Sequence, residues 1–204
     1  WSPAELAQAL ADADGALITA GERIDDALLA RCPKLKVVAN IAVGYNNIDV
    51  PAARARGVIV TNTPDVLTNA VADFTWALIL AITRRISEGE RVVRRGEWKG
   101  WAFDYMLGTE LRGKQLGIVG LGRISRAVAA RAEVFGMRVA FTSRSPQTME
   151  GAQRLSLDAL LNTSDVVSLH PRVTEETTGM INQESLSKMK KGAFFINTAR
   201  GPLV

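Results

Sequence analysis

Apolar residues in this chain fall into short unbroken runs, separated by stretches where they recur every three or four positions. In the first third, segments 15–19, 35–39 and 58–61 are such runs, whereas 24–30 and 50–56 carry apolar residues at helical spacing. Strands separated by single helices predict parallel pairing through crossover helices. Thr61-Asn62-Thr63-Pro64 closes the third run, and its proline pushes Thr63 into extended geometry, which predicts a domain boundary between residues 63 and 64. Beyond it, Val71, Phe74, Leu78, Ile82 and Ile86 predict one long helix over 66–95. Its first half is apolar nearly all round, as in a helix buried on several sides, whether in one domain's core or joining two domains or subunits. Segment 96–108 is irregular and holds Trp98, Trp101, Phe103 and Tyr105, four aromatics that are costly to leave in water. Either a partner subunit covers them or the arm folds back on its own domain.

The alternation then resumes. Strands are expected at 115–119, 137–142, 165–169 and 193–197, and helices at 123–135, 156–161 and 183–189. These strands are apolar without alternation, the pattern of a sheet covered on both faces. The expected fold class is α/β, with two doubly wound parallel-sheet domains: a flavodoxin-like domain over 1–63 and a Rossmann dinucleotide-binding domain over 64–204.

Composition narrows the function classes. A hydrophobic content of 47% with 23% charged residues excludes disorder, and the most apolar run, 74–82, is too short to span a bilayer, so no membrane partner is expected. One cysteine, Cys32, excludes a disulfide framework and suits a reducing cytoplasm; lying before Pro33, it is expected to be an inert small hydrophobe. With one histidine as well, a zinc site is not expected. The net charge of +4 arises largely from scattered arginines rather than one dense stripe, so nucleic acid is not expected as a partner. Arg84, Arg85, Arg94 and Arg95 are expected to be solvated, and Lys188, Lys190 and Lys191 to form a solvated helix end. The chain opens on Trp1 with no leader-like segment and stops just after an apolar run, so it is expected to be a fragment trimmed at both ends.

The chemistry concentrates in Gly117-Ile118-Val119-Gly120-Leu121-Gly122-Arg123-Ile124-Ser125, where Gly120 and Gly122 sit between a strand and a helix. Gly120 permits the tight turn, and Gly122 lets backbone approach a pyrophosphate at the helix N-terminus. Ser125 replaces the third glycine of that pattern and is expected to spread helix and strand slightly or to lean on a helical carbonyl. A tight turn without a ligand is the alternative. At the end of the next strand, Ser143-Arg144-Ser145 stands where an NAD-binding fold shows a carboxylate for the ribose hydroxyls. A hydroxyl and a guanidinium fork would instead accept a 2′-phosphate, so NADP is the preferred cofactor, with NAD also admitted.

Four motifs occur here in a familiar order: Ala42-Val43-Gly44-Tyr45-Asn46-Asn47-Ile48-Asp49, the Thr61-Asn62-Thr63-Pro64 junction, the glycine turn, and Asn197-Thr198-Ala199-Arg200-Gly201. The chain resembles the D-isomer-specific 2-hydroxyacid dehydrogenases over essentially its whole length, most of all the glyoxylate/hydroxypyruvate reductases. The resemblance implies hydride transfer between a nicotinamide cofactor and a small anionic 2-oxo or 2-hydroxy acid, in a homodimer. It implies that Val43 and Gly44 offer N–H groups to the substrate carboxylate and that Arg200 grips carboxylate and carbonyl as the catalytic group. It further implies that Gly120, Leu121, Gly122, Arg123, Ile124, Ser143, Arg144, Ser145, His170, Thr198, Ala199 and Arg200 line the cofactor, between a first domain holding the substrate and a second holding the dinucleotide.

Some positions depart from the family. Its acid histidine and the glutamate paired with it fall beyond Val204, so this chain is expected to be inactive by itself. His170 matches a different histidine, for which a cofactor-edge or structural role is expected. Pro171-Arg172-Val173-Thr174 stands in place of Val-Pro-Leu-Thr, and Asp73 in place of a glutamate. Two rivals remain at this point: a dinucleotide-sensing, corepressor-like interaction protein of the same fold, and a basic nucleic-acid module.

Overall fold

A computed structural model describes residues 1–204. The chain divides into two compact units, Trp1–Leu67 and Thr68–Val204.

The first unit begins with α1 (Pro3–Leu10), started by a reciprocal cap in which Ser2 and Glu5 each bind the other's backbone N–H. There follow β1 (Gly15–Ile18), α2 (Asp26–Ala30), β2 (Val37–Asn40), α3 (Val50–Ala55) and β3 (Ile59–Thr61). Asp25 and Asp49 cap α2 and α3 through their carboxylates. The three strands pair in chain order, all parallel. Ala16, Ile18 and Val38 point into a core shared with Leu6, Leu10, Leu28, Leu29 and Ala53, while Leu17 and Ile59 on the strands are exposed. Within these residues the sheet therefore has a core on one face and no reversal of strand order. Cys32 is buried in that core, and burial pushes its thiol pKa up, which keeps it protonated and inert.

The second unit carries α4 (Thr68–Thr83), α5 (Ile86–Arg94), β4 (Gln115–Val119), α6 (Arg123–Ala132), β5 (Arg138–Thr142), β6 (Ala152–Arg154), α7 (Leu157–Thr163), β7 (Val166–Leu169), α8 (Gln183–Ser187) and β8 (Phe194–Asn197). Its five strands run parallel in the order β6-β5-β4-β7-β8, so the order reverses at β4, as doubly wound topology requires. Two separate cores cover the two faces. Leu116, Ile118, Phe141 and Val166 pack with Ala72, Trp76, Ile79, Val128 and Ala132 of α4 and α6; Val119, Val167 and Leu169 pack with Leu160 and Leu161 of α7. Every residue of β4 and β7 is buried, which accounts for the lack of polar–apolar alternation along them. No helix is long and apolar enough to cross a membrane.

The helix expected over 66–95 is two helices. The Thr83 hydroxyl bonds back to the Ile79 carbonyl (2.7 Å), and the Thr83 carbonyl is taken by the N–H of Thr109 (2.7 Å) rather than by a following helical turn. Arg85 then adopts a left-handed conformation (φ 55°), its guanidinium held by both carboxylate oxygens of Glu88 at 2.7 Å. Hydrophobic period alone misses this break, because it is made by a threonine and a distant backbone amide. Edge strand β6 carries no apolar signal either and is held by backbone pairing to β5.

Several charges expected to be solvated are paired. Arg85 binds Glu88 and Arg94 binds Glu90; Lys188 reaches Asp158 (3.0 Å) and Glu184 (3.2 Å), and Lys190 reaches Asp165 (2.6 Å). The lysines at the end of α8 thus tie it to α7 and to the start of β7, contacts that need a third dimension to appear. In the arm, Trp101 and Phe103 are each 84% exposed, so it does not fold back over them.

Trp76 fixes α4 to α6. Its indole Nε1 donates to the Val128 carbonyl (2.9 Å), and its ring stacks on Phe135 at 4.5 Å. Replacing it with alanine (Trp76→Ala) is expected to cost about 3–5 kcal/mol of stability, read from urea unfolding. A loss below about 1 kcal/mol would mean that the helix pair is held elsewhere.

Candidate dinucleotide site

Register decides which residues meet. Val119 of β4 stands opposite Thr142 of β5 and Leu169 of β7, and Leu169 stands opposite Asn197 of β8. The residue following each strand therefore falls on one line along the carboxyl edge of the sheet: Gly120, Ser143, His170 and Thr198. The edge where strand order reverses is where an open parallel sheet takes its ligand.

Gly120 is required twice over. Its φ is +88°, and a Cβ built on it would lie 2.7 Å from the Pro171 nitrogen and 2.9 Å from the His170 carbonyl carbon. The turn thereby delivers the chain to α6, whose first N–H groups face the edge. A Cβ at Gly122 would meet nothing within 4 Å, so the helix start is open on the side where a pyrophosphate would lie. Ser125 is fully buried, accepts from the Gly122 N–H (2.6 Å) and donates to the Gly122 carbonyl (3.0 Å). It leans on a carbonyl, as one of its two expectations had it, and closes the turn on itself. Close helix–strand packing is met instead by Gly117, where a Cβ would strike Ser164 and Leu160 of α7. Leu121 is buried, while Arg123 and Ile124 open the helix.

At the end of β5 the Ser143 hydroxyl donates to the Ser145 carbonyl (2.9 Å), and Arg154 Nη2 donates to the Ser143 carbonyl (3.0 Å). Arg154 is a site neighbour that motif reading does not find, because it comes from the signal-poor edge strand. Arg144 Nη1 lies 2.9 Å from Glu176, and both side chains are largely exposed. Such a pair is weak and readily exchanged for another anion.

His170 Nε2 lies 2.9 Å from the Ser168 hydroxyl, and burial pushes the imidazole pKa down to about 4. It is neutral at pH 7. Thr75 of α4 is fully buried, donates to the Val71 carbonyl (2.8 Å), and so accepts from Thr198 (2.9 Å), anchoring that strand end from below. Asn197 folds the next turn: its Oδ1 accepts from the Ala199 N–H (3.0 Å) and its Nδ2 donates to the Arg200 carbonyl (2.9 Å). The Arg200 side chain is exposed, with Nη1 donating to the Ala199 carbonyl (2.8 Å). In the first unit, Val43 and Gly44 follow β2 and are half-buried. Asp73 on α4 binds Arg131 of α6 (2.7 Å).

A glycine turn open at Gly122 at a helix start, with Ser143, His170 and Thr198 in line beside it, suits a dinucleotide. Residues 76–204 match the family model described as D-isomer specific 2-hydroxyacid dehydrogenase, NAD binding domain. The chain belongs to the D-isomer-specific 2-hydroxyacid dehydrogenases. Its cofactor is a nicotinamide dinucleotide. The chain is 48% identical over 98% of its length to a glyoxylate reductase of Thermococcus kodakarensis, of which it spans 62%. Among solved structures it superposes with a TM-score of 0.95 on the TT0316 protein of Thermus thermophilus, at 48% identity, covering 100% of this chain and 65% of that one. With D-lactate dehydrogenase of Aquifex aeolicus, solved with NAD and lactic acid, the TM-score is 0.89 at 34% identity, over 97% of this chain and 60% of that one.

His170 links this site to stability. Its native pKa, about 4, lies below the ordinary 6.5, so between these pH values the unfolded chain binds a proton that the folded chain does not. Stability is therefore expected to fall as pH drops from 6.5 towards 4, by up to about 3 kcal/mol, with no contribution above that window. Urea midpoints measured across the window should show a slope that His170→Asn flattens. Equal slopes in the two proteins would refute the assignment.

Proposed function

We propose that the protein reduces a small 2-oxo acid, glyoxylate or hydroxypyruvate, to the D-2-hydroxy acid, with NADPH preferred over NADH. The observation that carries this reading is the single row of Gly120, Ser143, His170 and Thr198, with Arg200 two residues further along the same turn. Likeness to the archaeal glyoxylate reductase supplies the substrate class. The bound nicotinamide supplies the hydride.

The chain's own residues bind, orient and polarise. Arg200 presents a planar, permanently charged fork that suits a carboxylate beside a carbonyl and stabilises charge developing on the carbonyl oxygen. Val43 and Gly44 offer main-chain N–H groups to the carboxylate. Leu121, Gly122, Arg123 and Ile124 carry the pyrophosphate end, and Thr198 and Ala199 the nicotinamide end. Ser143, Arg144 and Ser145 take the adenosine 2′-phosphate, for which Arg144 exchanges its exposed pairing with Glu176. His170, the chain's single histidine, is neutral and is not the proton donor. The 204-residue chain alone should therefore turn over roughly 10²–10⁴-fold more slowly than one that holds a positioned acid.

The exposed arm of Trp98, Trp101, Phe103 and Tyr105 favours a homodimer. A single, buried and unreactive cysteine accords with a cytoplasmic setting.

Two binding measurements test this reading. Ser143→Asp is expected to weaken NADPH at least tenfold relative to NADH in titrations followed by cofactor fluorescence; an unchanged ratio would remove the phosphate assignment. Arg200→Lys, which keeps the charge and loses the fork, should raise the Kd for oxalate tenfold or more in the presence of NADPH. An unaffected Kd would sink the role given to Arg200.

A further inference from the structure

Three consecutive carbonyls after β2 are each held by a donor of the first unit. The Thr63 N–H donates to the Ala42 carbonyl (3.0 Å), Asn62 Nδ2 to the Val43 carbonyl (2.9 Å), and Asn40 Nδ2 to the Gly44 carbonyl (2.9 Å). Every peptide bond here is trans, so a carbonyl's direction sets the opposite direction for the N–H of the next residue. The bond to Ala42 thus aims the Val43 N–H, and the bond to Val43 aims the Gly44 N–H. Both are turned away from the groups that hold the carbonyls.

Asn40 is an odd residue to find where it is. It is 2% exposed, and its Oδ1 has no hydrogen-bond partner. A buried acceptor left unmet is unfavourable, and an aliphatic side chain of similar size would avoid it. What the amide adds is its bond to Gly44. Glycine is the residue least able to hold its own peptide planes, so a segment containing it gains most from external clamps.

We propose that Asn62, which sets the Gly44 N–H, and Asn40, which fixes the next peptide plane between Gly44 and Tyr45, are positioning residues that hold the 42–45 segment as a preformed set of N–H donors for the substrate carboxylate. Successive amides aimed one way form an anion-binding concavity. The inference rests on the assignment of Val43 and Gly44 to the substrate made above. Without the clamps a peptide plane must be ordered on binding, which corresponds to about a tenfold loss of affinity.

The test uses the 15N-labelled chain, saturated with NADPH and titrated with oxalate, a planar stand-in for a 2-oxo acid. Oxalate is expected to shift the Val43 and Gly44 amide resonances. Asn62→Ala should raise the oxalate Kd about tenfold, and Asn62→Asp, which sets an acceptor against the Val43 carbonyl, should raise it further. Asn47→Ala is the comparison, since Asn47 donates to the Thr19 and Glu22 carbonyls in the same unit but not to this segment. It should lower stability and leave the oxalate Kd unchanged. Asn40→Ala is the harsher variant; should it fail to give a dispersed spectrum, half-buried Asn62 carries the test. If oxalate shifts both amides in the wild type but the Asn62 variants bind it equally well, the clamp is overturned and the substrate reading stands. If oxalate shifts neither amide in the wild type, both fall together.

Discussion

Parallel register is the constraint from which the second unit's chemistry follows. Because β5, β4, β7 and β8 run the same way and align Thr142, Val119, Leu169 and Asn197, the chain leaves all four strands at one level. A one-residue slip in any pair would move that strand's buried side chains to the wrong face, and the two cores would no longer close. Hydrophobic packing on both faces thus fixes the placement of polar residues that make no part of either core. The site is exact at its edge because the sheet is dry at its centre.

Above that edge, small polar side chains do what regular hydrogen bonding cannot. Where strands end, their backbone groups lose ladder partners and need others. Ser125 closes the glycine turn, Asn197 folds the turn before Arg200, Thr75 receives Thr198, and Ser168 meets His170. In the first unit Asn62 and Asn40 do the same for the segment after β2. Each is a short side chain with few rotamers, so little entropy is lost in holding a neighbouring peptide plane. The chain keeps its long, flexible charged residues for exposed pairs such as Arg144–Glu176, which can open at small cost.

Much of the architecture was legible in the residues. Apolar runs without alternation predict strands, and helical spacing between them predicts parallel crossovers; β4 appears with the bounds its run predicts, while β1 to β3, equally apolar, are covered on one face only. The glycine turn was readable because a strand, two glycines and a helix in succession leave little else for the backbone to do. What stayed hidden was set by partners distant in sequence. The break between α4 and α5 depends on Thr109 capturing the Thr83 carbonyl, the lysines of α8 find acids on other elements, and β6 exists because β5 offers it an edge.

The division follows from how each kind of information is encoded. Hydrophobic periodicity and glycine placement are local, so the order of residues by itself determined the α/β class, the crossover topology and the glycine turn between β4 and α6. Orientation is not local: which way a carbonyl points, whether an imidazole is wet or dry, and whether a guanidinium is already engaged depend on atoms brought near only by folding. The pKa of His170, the pairing of Thr75 with Thr198 and the clamp of Asn62 on Val43 were therefore decided by tertiary structure alone.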